Sequence, residues 1–225
     1  MCGRYTLLAD EVEVLKEFGL SHPITNYEPS YNIAPGQQVL AIIHDGKSKR
    51  AGYLKWGLVP SWAKDPKIGY KMINARSETA HEKPSFKHLM ARKRCLIIAD
   101  SFYEWKKVDS SKQPKRIQLK DRQLFAFAGL WDKWEQDDEE LFTCTMLTKD
   151  ANDFMQDIHH RMPIILPKEM EDDWITPKTF DPEAAKQFIT QLEPDDMTAY
   201  DVHSYVNKAK NNDEFCIEPL VANDR

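Results

Sequence analysis

The sequence predicts an α+β fold: a single domain on a curled, barrel-like and largely antiparallel β-sheet flanked by short helices. Three observations carry this reading. Strand-like runs outnumber helical patterns and do not alternate regularly with them, which disfavours a parallel βαβ sheet. Of the 225 residues 41% are apolar and 30% charged, enough to bury one sizeable core. No internal repeat, low-complexity tract or linker divides the chain, so residues 1–225 read as one domain.

The elements follow in order. Asp10 to Phe18 reads as a short helix, with Asp10 as N-cap, Val14, Leu15 and Phe18 on one face and Gly19 as the stop. Glu28 to Gly36 is rich in Pro and Asn and reads as a loop. Val39 to His44 and Arg50 to Leu58 read as a hairpin around Asp45-Gly46. Val59 to Met72 reads as irregular, since it holds Pro60, Trp62, Pro66 and Gly69. Pro84 opens a helix to Arg94. Cys95 to Lys107 reads as one strand, and Arg116 to Leu119, Leu124 to Trp131 and Leu141 to Thr148 as further strands. The acidic run Glu135 to Glu140 reads as a solvated hairpin loop. Ala151 to Ile158 is a helix, Met162 to Leu166 a strand closed by Pro167, and Lys168 to Trp174 and Pro182 to Leu192 are helices. Ala199 to Val206 and Phe215 to Pro219 close the chain as extended pieces.

Composition excludes several classes of function. No apolar stretch approaches the roughly 18–20 residues that span a bilayer, so no membrane partner is expected. The N-terminus lacks an apolar signal core and turns acidic at Asp10-Glu11, which argues against secretion. Cys2, Cys95, Cys144 and Cys216 form no CxxC pair and no metal-ligand spacing, so neither a disulfide scaffold nor a metal site is expected. The expected compartment is the reducing cytoplasm, with Cys95, Cys144 and Cys216 as core thiols.

Charge is unevenly distributed. Lys47 to Arg94 holds 13 basic residues against 3 acidic, whereas Asp132 to Arg225 holds 9 basic against 23 acidic. The basic segment suits a phosphate backbone, and a solvated basic face without a partner is the plainer alternative.

Cysteine at position 2 is small enough that the initiator methionine is normally removed, leaving a thiol and an α-amine on one residue. An α-amine with a reference pKa of about 7.7–8.0 is partly neutral at physiological pH. Such a residue can attack an amide, or condense with an aldehyde to an imine that the thiol closes to a thiazolidine. A chain retaining Met1 has a blocked amine and cannot form that ring. Asn74 can orient a nucleophile, and Arg76 can grip a phosphate, just before a helix start with Ser77 as N-cap. Glu104 lies among Phe102, Tyr103 and Trp105, where its carboxyl should titrate high and could move protons. His159-His160 precedes Arg161 and suits acid–base work near neutrality, while adjacent histidines with diverging side chains rarely share a metal.

The pieces together resemble one family, the SOS-response-associated peptidase (SRAP) family of abasic-site processing proteins. The matching motifs are Met1-Cys2-Gly3-Arg4-Tyr5, Tyr31-Asn32-Ile33-Ala34-Pro35-Gly36, Trp56-Gly57-Leu58-Val59-Pro60-Ser61-Trp62, Ile73-Asn74-Ala75-Arg76-Ser77-Glu78-Thr79, Phe102-Tyr103-Glu104-Trp105-Lys106, Ile158-His159-His160-Arg161-Met162-Pro163 and Val206-Asn207. They run in family order along the chain. The resemblance implies an SRAP domain that captures the aldehyde of an abasic site in single-stranded DNA, including at single-strand/double-strand junctions, as a thiazolidine crosslink. It also implies autoproteolytic removal of the first residue. Residue by residue, it makes Cys2 the nucleophile, Asn74 its positioning group, Glu104 the proton carrier and His159 the proton donor to the sugar oxygen. It makes Arg4, Arg76 and Arg161 phosphate contacts, Trp62 and Trp105 stacking or wedging groups, and Asn32, Pro35, Lys83 and Thr148 further DNA contacts. No cofactor and a monomeric state are expected. His160 departs from the usual acidic residue, and the Val59 to Met72 loop is longer than in some relatives. Two other readings stand beside this one: an N-terminal-nucleophile amidohydrolase, which lacks the expected Asn-Gly-Glu run here, and a non-catalytic single-strand-binding module.

Overall fold

The computed structural model describes residues 2–177, 181–190, 192, 194 and 196–220. Its strands are β1 (Tyr5–Leu7), β2 (Ser30–Ile33), β3 (Gln38–His44), β4 (Lys49–Trp56), β5 (Asn74–Arg76), β6 (Arg94–Ala99), β7 (Ser101–Val108), β8 (Ser111–Leu119), β9 (Phe125–Gln136), β10 (Glu139–Asp150), β11 (Arg161–Pro163), β12 (Ile165–Leu166) and β13 (Met197–Asp201). The helices are α1 (Glu11–Phe18), α2 (Ser77–Ala80), α3 (Lys87–Arg92), α4 (Asp153–Gln156), α5 (Glu171–Ile175) and α6 (Pro182–Thr190).

Five strands close into a ring in the order β3, β4, β10, β9, β6 and back to β3. All ring neighbours are antiparallel except β4 and β10, which run parallel through Thr143 opposite Lys55 and Cys144 opposite Trp56. A second, open sheet runs β13-β8-β7-β1-β2. The α+β class and the curled, largely antiparallel sheet are as predicted.

Asp100 is where one sheet becomes the other. The predicted single strand Cys95 to Lys107 is two strands, β6 in the ring and β7 in the open sheet. The Asp100 carboxylate accepts from the Thr6 hydroxyl and the Leu8 N–H, and it lies 3.7 Å from Arg116 Nη2. Burial still pushes its carboxyl above the ordinary range. Aromatic packing joins the two sheets: Tyr5 of β1 meets Trp56 of β4 at 5.5 Å and Phe127 of β9 edge-on at 5.7 Å.

Other local expectations hold or shift for identifiable reasons. Asp10 caps α1 in a reciprocal box with Glu13, and Gly19 ends the helix at φ 60°. The Asp45-Gly46 turn joins β3 to β4. Ser30–Ile33, read as loop, pairs with β1. β8 starts at Ser111 rather than Arg116; Pro114 is accommodated because only its carbonyl is needed, accepting from the Val202 N–H at 3.1 Å. Strands β9 and β10 run into the acidic stretch, leaving Asp137-Asp138 as the turn. The predicted helices at 84–94 and 151–158 shrink to α3 and α4, and 168–174 becomes a 3₁₀ turn followed by α5. Helix α6 ends at Thr190; of the predicted continuation to Leu192, Gln191 lies outside the described residues. Of the predicted extended pieces at the C-terminal end, Ala199 to Asp201 belongs to β13 and Val202 bridges to Pro219, whereas Ser204–Asn207 and Glu214–Cys216 are 3₁₀ turns. Met1 also lies outside the described residues.

Candidate active site

Cys2, Asn74 and Glu104 meet where the edge of the ring adjoins the open sheet. Strand β1 pairs with β7 through Tyr5 opposite Phe102, and the Tyr103 N–H donates to the Arg4 carbonyl at 2.9 Å. That register carries Cys2 and Glu104 to the same end of the strand pair. From the ring side, β5 lies parallel to β10 with Asn74 opposite Met146, and Trp56 Nε1 donates to the Ile73 carbonyl at 2.8 Å. So held, Asn74 Nδ2 donates to the Cys2 carbonyl at 2.9 Å. Asn74 Oδ1 is buried without a hydrogen-bond partner among the described residues, an open acceptor beside the cysteine.

Electrostatics distinguish the two titratable groups. Burial pushes the Cys2 thiol well up, and the nearby Glu104 charge pushes the same way, against the Arg4 backbone, from 3.8 Å away. Burial raises the Glu104 carboxyl, while the Trp105 backbone and the charge of His160 pull it down and lose. A carboxyl shifted toward neutrality can both give and take a proton near physiological pH.

The Arg161 backbone N–H, which can only donate, points at His159 Nδ1 at 3.0 Å. The same nitrogen lies 3.1 Å from the Arg161 carbonyl, so its role as donor or acceptor follows the tautomer. Burial lowers the His159 pKa and the Lys112 and Arg161 charges add to that effect, while the contact with the Arg161 backbone opposes it. The His159 and His160 rings stack at 4.4 Å rather than diverging as expected from sequence. Among the described residues no group of three or more His, Cys, Asp or Glu could hold a metal ion.

Several residues expected as DNA contacts sit differently. Arg161 is buried, and both its terminal nitrogens are engaged: Nη1 on Glu78 at 2.7 Å and Asp150 at 2.6 Å, Nη2 on Glu78 at 3.0 Å and the Thr148 carbonyl at 2.8 Å, while Nε has no hydrogen-bond partner among the described residues. Burial would raise the Glu78 carboxyl, but these contacts win and hold it low. Thr148 is buried too, and its hydroxyl accepts from Arg161 at 3.1 Å. These contacts tie β11 and α2 to β10. Asn32 is likewise buried: its Nδ2 donates to the Asn211 carbonyl at 2.6 Å, and its Oδ1 accepts from Arg4 at 2.8 Å. Arg4 also donates to the Val206 carbonyl at 2.7 Å and lies 5.9 Å from the Trp105 ring. Trp105 Nε1 donates to Asn207 Oδ1 at 2.7 Å. Arg4, Asn32 and Trp105 thus clasp the segment 206–211 against β2 and β7. Arg76, Lys83 and Trp62 are exposed, and Pro35 is half-buried beside Gly36. Ser77 is the first residue of α2 rather than its cap; Arg76 holds the cap position without a side-chain bond.

Three contributors were not picked out from the sequence: Glu78, Asp150 and Asn207. Glu78 and Asn207 lie inside quoted motifs, yet their partners, Arg161 and Trp105, are 83 and 102 residues away. Asp150 offered no signal.

Comparison with known proteins places this chain in a family. Abasic site processing protein YoqW of Bacillus subtilis is 51% identical over 222 residues, covering 97% of this chain and 99% of that protein. Abasic site processing protein HMCES of Xenopus tropicalis is 32% identical, covering 98% of this chain and 79% of that protein. A crystal structure of a Bacteroides thetaiotaomicron protein superposes with a TM-score of 0.86 at 26% identity, covering 98% of this chain and 100% of that one. The family description "SOS response associated peptidase (SRAP)" matches residues 1–209. With the family matched over most of its length, this chain belongs to the SOS response associated peptidase family.

Proposed function

We propose that this chain processes abasic sites in single-stranded DNA, capturing the lesion covalently through Cys2 once Met1 has been removed. The carrying observation is the convergence of Cys2, Asn74 and Glu104, with the Cys2 carbonyl held by Asn74. Hydrolysis of the Met1–Cys2 peptide bond consumes one water and frees the Cys2 α-amine. The abasic sugar opens to its aldehyde: the C1′ hydroxyl loses its proton, and His159 in its protonated form gives one from Nε2 to the ring oxygen. The amine adds to the aldehyde carbon, and the resulting carbinolamine loses water to form an imine, for which Glu104 supplies and recovers a proton. The thiol then adds across the C=N bond, its hydrogen passing to nitrogen through Glu104, and a thiazolidine results. The net change is loss of one water per adduct. Asn74 fixes the backbone of the nucleophile, and its open Oδ1 suits a hydroxyl of the opened sugar.

The thiol is unfavourable as a free thiolate in this buried setting, so proton transfer accompanies its attack. Exposed Arg76 and Lys83 suit phosphates beside the lesion. The protein acts in this reading as a cytoplasmic monomer without cofactor, at single strands and their junctions with duplex. A denaturing gel without borohydride tests it, using Met1-processed protein and single-stranded DNA with one abasic site. A slow-migrating band is expected for the wild type and not for Cys2→Ala. No band, with loss of Met1 verified by mass, overturns the proposal.

A further inference from the structure

The β7–β8 hairpin continues outward from the site. Strand β7 carries Glu104 and Trp105, then runs through Lys106 and Lys107 to Val108, where Asp109 and Ser110 turn the chain into β8. At a rise of about 3.4 Å per residue, Lys107 stands roughly 10 Å along the strand from Glu104. Between Trp105 and Pro114 the chain holds Lys106, Lys107 and Lys112 against one acidic residue, Asp109. The register sets Lys107 directly opposite Lys112, and both are exposed. Like charges directly opposite one another destabilise a strand pair. Other strand lysines of this chain are neutralised: Lys115, also on β8, pairs with Asp201, and Lys133 of β9 pairs with Glu135 and Glu140. Neither Lys107 nor Lys112 makes an ion pair among the described residues. The Lys112 charge is nevertheless felt at His159, as expected for a hairpin whose tip stands beside the site.

We propose that Lys107 and Lys112 together grip one backbone phosphate of the bound DNA strand, on one flank of the lesion and within about three nucleotides of it. The inference rests on the abasic-site reading and adds an anchor on the open-sheet side of the site, as Arg76 stands on the ring side. A phosphate between the two ammonium groups replaces their repulsion with two attractions. What is unfavourable in the free protein thus becomes favourable in the complex. A phosphate contact reads no base, so the grip adds affinity without sequence preference. Because the hairpin lies to one side of Glu104, the grip also makes the two flanks of the lesion unequal.

The test uses single-stranded oligonucleotides carrying a tetrahydrofuran abasic analogue, which has no aldehyde, so that binding is measured without capture. Three are titrated across salt: one with nucleotides on both sides of the lesion, one with them only on the 5′ side, and one only on the 3′ side. With the two-sided strand, Lys107→Gln/Lys112→Gln is expected to flatten the slope of log K against log salt by about 0.7, the share of one phosphate. The same flattening is expected with one of the one-sided strands and none with the other. Lys107→Arg/Lys112→Arg, which keeps both charges, is expected to match the wild type. Unchanged slopes, or equal flattening with both one-sided strands, overturn the proposal. The free double-glutamine variant is expected to melt at or above the wild-type midpoint, since a repulsion is removed. A lower midpoint shows that the lysines serve the fold and overturns the proposal too. Crosslinking of the wild type to an authentic abasic site is read separately. Its absence beside a one-flank change sinks the capture reading alone, whereas a crosslink with unchanged slopes sinks this one alone.

Discussion

Glu104 is held where its charge is costly. Its folded-state pKa is raised by burial, so its favourable contribution to stability is full below the unfolded carboxylate pKa and is lost as pH rises through the folded value. Glu104→Gln removes that cost. The variant is expected to melt higher than the wild type at pH 7, with the difference shrinking as pH falls below the folded pKa, while crosslinking is lost. Thermal melts across pH check this, and a difference that grows on acidification counts against it. A second residue-scale contrast separates the arginines. Arg161→Ala strands the buried Thr148 carbonyl and is expected to cost about 1–3 kcal/mol in urea unfolding. Arg76→Ala alters an exposed side chain, and its stability is expected to stay within about 0.5 kcal/mol, with weaker DNA binding instead. Equal stability of the two variants contradicts these roles.

At the scale of elements, the segment 59–72 depends on the contact between Gly57 and Gly69. At φ +136° an added Cβ at Gly57 strains the backbone, and it also meets the Gly69 oxygen at 2.8 Å. Gly57→Ala is expected to lower the urea midpoint by an amount equivalent to about 1–3 kcal/mol. Because Leu58 and Met72 are bonded across the same contact, the variant should also weaken binding of single-stranded DNA. Wild-type stability in the variant would show that the two backbones can separate freely. This segment also shows how far local sequence speaks. Pro60, Pro66 and Gly69 made its irregularity legible, and Asp10, Glu13 and Gly19 marked α1, because caps and turns are written in consecutive residues. The break at Asp100 was not legible. Leu96 to Tyr103 is an unbroken strand-like run in which only the contacts of Asp100 with Thr6 and Leu8, more than 90 residues away, mark the change of sheet.

For the whole molecule, the sequence-level class holds, and the closed ring explains why the sheet curls. The residues that meet beside Cys2 were legible where chemistry singles them out: a cysteine at position 2, a carboxyl among aromatics, an amide in a polar run. The partners that Arg161 and Asn32 find within the chain were not legible, because Glu78 and Asn211 lie 83 and 179 residues away.

The clasp has a consequence in time. Arg4 and Val206 are 202 residues apart, and at about 5–20 residues per second synthesis of the intervening chain takes roughly 10–40 s. Until that segment emerges from the ribosome, Arg4 lacks its carbonyl partner and Trp105 its amide partner. The N-terminal strand is thus made first and secured last.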